Sequence, residues 1–153
     1  MGFDQISLKG RALRLLSGRE HSKAELLRKL RPHETEPGEL ARALDELEAK
    51  GFISEQRVIE SVVHRRSVKL GASRVRQELQ AKGLDPLAVA EAVAGLQGSE
   101  EARAREVWRK KFGEPPHDAA EHGKQMRFLL TRGFGADVVR RVVRGAPGLD
   151  ADD

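Results

Sequence analysis

The chain has 153 residues, 34% of them charged and only 4% aromatic, with a formal net charge of +4. It contains no cysteine, which excludes disulfides and thiolate-held metals and fits a reducing compartment. It has no apolar run of the ~18 residues a membrane span needs, and the opening MGFDQISLKG lacks the regions of a signal peptide, so a soluble, cytoplasmic protein is expected.

In chain order, Leu8 to Ser17 reads as a helix with Ala12, Leu13, Leu15 and Leu16 on its apolar side. Ser22, with Glu25 three residues on, has the form of a capping box for a second helix that turns Leu26, Leu27 and Leu30 inward. Pro32 stops that helix, and RPHETEPG makes a polar loop. Pro37 opens a third helix carrying Leu40, Ala41, Leu44 and Leu47, ended by Gly51. Ser54 begins a long helix in which Ile59, Val62, Val63, Arg66 and Leu70 recur at helical spacing. Gly71 then offers a left-handed cap, and Ser73 an N-cap for a helix that buries Val75 and Leu79 and ends at Gly83.

Asp85-Pro86 starts the next helix, striped by Val89, Ala92, Val93 and Leu96. Ser99 starts another, with Glu100 and Glu101 at its positive end and Arg109, Lys110 and Lys111 at its negative end. Ala104, Trp108 and Phe112 form its inner face; the two aromatics could stack on nucleobases, but their spacing suits a core better. Residues 119–132 and 136–144 make the last two helices, and GAPGLDADD reads as a disordered acidic tail.

A shift of fifty residues carries Leu79, Lys82, Gly83 and Leu84 onto Leu129, Arg132, Gly133 and Phe134. It also carries Val89, Ala92 and Val93 onto Val139, Val142 and Val143. A period of this length means stacked helical units that bury their faces on neighbours. The expected fold is all-α: three tandem three-helix-bundle repeats, 6–53, 54–98 and 99–145, in an elongated, curved array, with a tail at 146–153.

Charge is unevenly spread. Between Ser61 and Gly83 stand six bases, Arg65, Arg66, Lys69, Arg74, Arg76 and Lys82, against one acid, Glu78. Such an excess is where a polyanion is drawn, whereas its bland reading is a solvated helix face with Arg74 paired to Glu78. Arg66 lies within the apolar stripe, so it either runs its stem along the core or marks where that face meets a partner. A second cluster, Lys124, Arg127, Arg132, Arg140, Arg141 and Arg144, belongs to the last repeat. There, from 99 to 148, bases outnumber acids by eleven to seven, a weaker bias. Arg109, Lys110 and Lys111 read as complements to the helix dipole.

No P-loop, GxGxxG, nucleophile elbow or HExxH occurs, and His117 and His122 flank a linker without metal spacing. Neither an active site nor a cofactor is expected. A winged-helix DNA-binding regulator is the rival reading, on the cadence from Ser22 to Ile53. Its recognition-helix candidate, 39–50, carries Glu39, Asp45, Glu46 and Glu48 against Arg42 and Lys50, an acidic face that DNA would repel.

The whole arrangement resembles the RecX family of recombination regulators. The residues that carry it begin with Arg11-Ala12-Leu13 and the Ser22-x-x-Glu25-Leu26-x-x-Lys29-Leu30 phrase. They continue through Leu47-x-x-x-Gly51-Phe52-Ile53 and Arg74-x-x-x-Glu78-Leu79-x-x-Lys82-Gly83. They close on Arg127-Phe128-Leu129-Leu130-x-Arg132-Gly133-Phe134 with Val138-Val139-x-x-Val142-Val143. The middle helix departs from the family pattern, with Val62 in place of the usual tryptophan or similar bulk. The resemblance implies a monomeric, non-enzymatic modulator of the RecA recombinase. It would bind in the groove of the RecA–single-stranded DNA filament and block extension or promote disassembly. ATP hydrolysis, strand exchange and SOS repressor co-cleavage would all fall, and direct binding of single-stranded DNA would be weaker.

Overall fold

The computed structural model describes residues 6–144, so the expected acidic tail lies outside the described residues. Within them, all regular structure is helical, and the α-helices fall into three groups of three, with short 3-10 turns at Arg31–His33 and Gln97–Ser99. The first group is α1 (Leu8–Gly18), α2 (Lys23–Leu30) and α3 (Glu39–Ala49); the second is α4 (Glu55–Arg66), α5 (Ala72–Ala81) and α6 (Pro86–Ala94). The third is α7 (Glu100–Lys111), α8 (Ala119–Thr131) and α9 (Ala136–Val142). Each group closes on its own apolar centre: Ala12, Leu26, Leu40 and Leu44 in the first, Val58, Val62, Val75, Leu79, Val89 and Val93 in the second, Ala104, Leu129, Val139 and Val143 in the third. Units this small stand near the lower limit of independent folding, roughly 40 residues, so what joins them matters to stability.

The helix starts show how local chemistry and the array interlock. Ser7, Ser22, Ser54, Asp85 and Asp118 each accept a hydrogen bond from a first-turn N–H, as short polar side chains at this position do. The helices α3, α5 and α9 are instead preceded by glycines, which offer no side chain. Glutamates from elsewhere replace the cap: Glu34 accepts from the Leu40 N–H at 3.0 Å, and Glu100 accepts from Ala72 at 2.7 Å and Gly135 at 3.0 Å. Ser73 therefore does not cap α5, as the sequence suggested; it lies inside the first turn, and a carboxylate of the next unit does the work. Nor does Ser99 cap α7, since its hydroxyl donates to the Leu96 carbonyl and accepts from Arg103. Pro37 also falls just before its helix, which opens at Glu39 after Gly38.

The fifty-residue shift is real in space. Leu79 and Leu129 are both fully buried, and Gly83 and Gly133 both take the left-handed turn, at φ of 68° and 90°. The joint between units repeats as well. In the first joint the Ser22 hydroxyl donates to the Lys82 carbonyl at 2.7 Å, and Gly83 faces Ala24. In the second the Gly71 N–H donates to the Arg132 carbonyl at 2.8 Å, and Gly133 faces Arg74. Each turn after the second helix of one unit thus plugs into the start of the second helix of the unit before. Gly71 is not the left-handed cap expected of it, because its φ is −76°. A Cβ there would stand 2.3 Å from the Gly133 carbonyl oxygen, so it is glycine for lack of room.

Candidate polyanion interface

The structure divides the twelve bases singled out from the sequence into those engaged within the fold and those left open. Arg66 sits half-buried with both ends of its fork on Glu78, Nε at 2.9 Å and Nη2 at 3.0 Å. That settles its place in the apolar stripe: the stem follows the core and the head meets an acid of α5. Because Glu78 is taken, Arg74 turns the other way, giving Nη1 to the Thr131 carbonyl at 2.9 Å across the second joint. Lys82 reaches Glu25 at 3.2 Å across the first joint and is only 18% exposed. Arg74 and Lys82 thus tie units together, Arg66 ties two helices of its own unit, and the charges of Arg66 and Lys82 are already answered by acids.

Arg65, Lys69 and Arg76 remain exposed, and none forms an ion pair with a described residue. In the last unit, Arg140 pairs with Asp137, and Arg141 with Glu101 at 2.6 Å. Arg132 lies over the Phe128 ring, 4.7 Å from its centre, while Lys124, Arg127 and Arg144 are exposed. Trp108 is partly buried against the third core as expected, its indole N–H donating to Gln125 at 2.7 Å, while Phe112 meets Phe128 edge-on at the margin of that core. Among the described residues no group of three His, Asp or Glu side chains gathers as metal ligands would. No helix there is long and apolar enough to cross a membrane. Nor is there a strand after Ile53 to make a wing; α4 follows at once, which removes the winged-helix reading's defining part.

Sequence reasoning passed over one residue that locks the second joint, Arg103, and gave Ser22 and Glu25 only a local role at the first. Arg103 donates to the carbonyls of Ser67 at 2.8 Å, Leu70 at 2.7 Å and Leu96 at 3.1 Å, closing the end of α4 from the third unit. Two of these main-chain oxygens lie more than thirty residues away, and none leaves a trace in local spacing. At the first joint Glu25 is buried. That burial would raise its carboxyl, but hydrogen bonds from Arg19, the Ser22 N–H and Lys82 outweigh it and hold the group at about 2. Beside it His21 is also buried, with Nδ1 3.0 Å from the Arg19 carbonyl and Nε2 3.0 Å from the Lys29 ammonium. A carbonyl only accepts and an ammonium only donates, so the ring is neutral with its proton on Nδ1. Burial is the main reason its pKa falls below 6.5, and the neighbouring cations of Arg19 and Lys29 lower it further.

Both shifts have the same sign for stability. His21 favours the fold in its neutral form, so its contribution is present above 6.5 and is lost progressively as pH falls below that value through the lower pKa of the folded state. Glu25 contributes fully above 4.5 and loses its contribution as pH falls toward 2. Thermal melts taken from about pH 7.5 down to about 3 should therefore fall in two steps, one below 6.5 and one below 4.5. In His21→Gln, whose amide can make both bonds without titrating, only the lower step should remain.

Comparison with known proteins matches all three units. The model of the first three-helix domain of RecX fits residues 9–47, that of the second fits 54–93, and that of the third fits 99–143. Regulatory protein RecX of Leptothrix cholodnii is 54% identical over 140 residues, covering 92% of this chain and 89% of that one. The counterpart in Ralstonia nicotianae is 49% identical over 150 residues, covering 97% and 94%. The crystal structure of RecX from Lactobacillus salivarius superimposes with a TM-score of 0.73 at 19% identity, over 89% of this chain and 92% of that one. The chain belongs to the RecX family, whose members are non-enzymatic regulatory proteins.

Proposed function

We propose that this protein modulates RecA by binding the filament that RecA forms on single-stranded DNA, lying in its groove and contacting more than one subunit. Bound there it lowers ATP hydrolysis, strand exchange and SOS repressor co-cleavage, by blocking extension or promoting disassembly. The observation that carries this is the open charge of the middle unit: Arg65, Lys69 and Arg76 stay exposed and unanswered by any described acid, while Arg66 and Lys82 are paired with acids and Arg74 is held on a carbonyl. A polymer of phosphates and acidic protein surface attracts cations left free in this way. Two fastened joints hold that face at a fixed spacing from the units on either side. Contacts to neighbouring subunits then act as one linked event, which multiplies modest affinities. Direct contact with DNA contributes the weaker share, and a monomer suffices.

Replacing Arg65, Lys69 and Arg76 by glutamate should raise the amount of protein needed for half-inhibition of single-stranded-DNA-dependent RecA ATPase roughly tenfold or more. The helical circular dichroism should stay as it is, because none of the three side chains makes an ion pair with a described residue. Undiminished inhibition by that variant would remove the middle unit from the interface. Adding the protein before and then after filament assembly separates the two modes of action: inhibition at sub-stoichiometric amounts only before assembly means that growing ends are blocked.

A further inference from the structure

Between the second and third units lies a cleft of about 310 Å³ that the joints do not use. Its floor is apolar: Val68, 57% exposed where the chain leaves α4, with Val107 of α7 and Phe128 of α8. Its rim is basic: Lys69 from the second unit faces Lys110, Lys111 and Arg132 from the third. The one acid at the edge, Glu106, is answered by Arg109 at 2.6 Å and lies 3.9 Å from Lys110, so the cleft keeps a positive excess. A single exposed valine is ordinary on a protein surface, but three apolar side chains sharing one recess under four cations are not.

We infer that this cleft is a docking site for an acidic stretch of polypeptide that inserts one aliphatic side chain. Charge complementarity selects the carboxylates, and the valine floor selects the anchor. Nucleic acid would bring the same negative charge, but bases stack on aromatic faces, and the ring that lines this cleft is already engaged. Lys111 stands over Phe128 at 5.3 Å, Arg132 at 4.7 Å, and Phe112 meets its edge at 5.4 Å between centres. An aliphatic side chain asks only for the contact area of Val68 and Val107. The inference goes beyond the filament reading, and its test needs no recombinase.

The probe is a fluorescein-labelled synthetic decapeptide with one leucine flanked by aspartates, titrated with the full-length protein and followed by anisotropy. Saturable binding is expected, weakened at least tenfold when the leucine is replaced by glycine. A comparable loss is expected in Val68→Asp, whose exposed position spares the fold, and in Lys110→Glu with Lys111→Glu. Circular dichroism of each variant confirms that it remains helical. An absence of saturable binding overturns the inference. So does binding indifferent to both the leucine and Val68, or a peptide displaced by an equal concentration of oligothymidylate, since either outcome makes the cleft a general polyanion patch.

Discussion

Gly71→Ala should uncouple the second and third units and cost the protein about 3 kcal/mol of stability. The added methyl would lie 2.3 Å from the Gly133 carbonyl oxygen and 2.5 Å from the Phe134 nitrogen, both main-chain atoms that cannot swing aside. Overpacking of this kind costs about 1–3 kcal/mol, and the bond from the Gly71 N–H to the Arg132 carbonyl adds roughly 1 more as the surfaces part. Backbone strain does not confuse the result, because a φ of −76° suits alanine as well as glycine. Thermal denaturation should drop by about 6–12 °C, with faster hydrogen exchange at the start of α5 and the α8–α9 turn. Gly98→Ala, with nothing within 4 Å of the new carbon, is the control and should melt like the parent. A Gly71→Ala protein that matched the control would show the joint to be loose. Inhibition of RecA should weaken in the same variant, since units free to swivel no longer present linked contacts.

The second large effect belongs to the other joint. Glu25→Ala strips a buried carboxylate from Arg19, Lys82 and the Ser22 N–H together, and removing one side of a buried pair costs about 3–5 kcal/mol. The lower end of that range is expected, because Arg19 is 42% exposed and recovers part of its hydration. A double-mutant cycle with Lys82→Ala checks the mechanism. If Lys82 bridges the units, the two losses fall short of additivity by about 1 kcal/mol or more. Full additivity would mean that Glu25 serves only its own capping box.

The sequence revealed repetition and hid attachment. Leucine and valine periodicity exposed the helices, and the recurrence of Gly83 and Gly133 fifty residues apart exposed the units, because both signals are local or strictly periodic. Ser22, Ser54 and Asp85 were readable as caps for the same reason: the group they satisfy lies three residues away. Gly71 and Ser73 misled because the deciding partners, Gly133 and Glu100, sit on another unit. The basic stretch was visible as composition, but its division into open and consumed charge was not. Arg74 had a plausible local acid in Glu78, and only packing shows that Arg66 occupies it first. Arg103 was silent altogether. Three of its acceptors are carbonyl oxygens, which every residue possesses and none advertises.

The fastening at Gly71 and Arg132 is drawn from the peptide groups themselves. No exchange of an outward-facing side chain can delete it, provided position 71 stays small enough for the backbones to meet. Distance between modules is thereby separated from the identity of the residues they display. Selection can rewrite the outward lettering to suit a different recombinase, while the pitch of the scaffold passes unaltered from one version to the next.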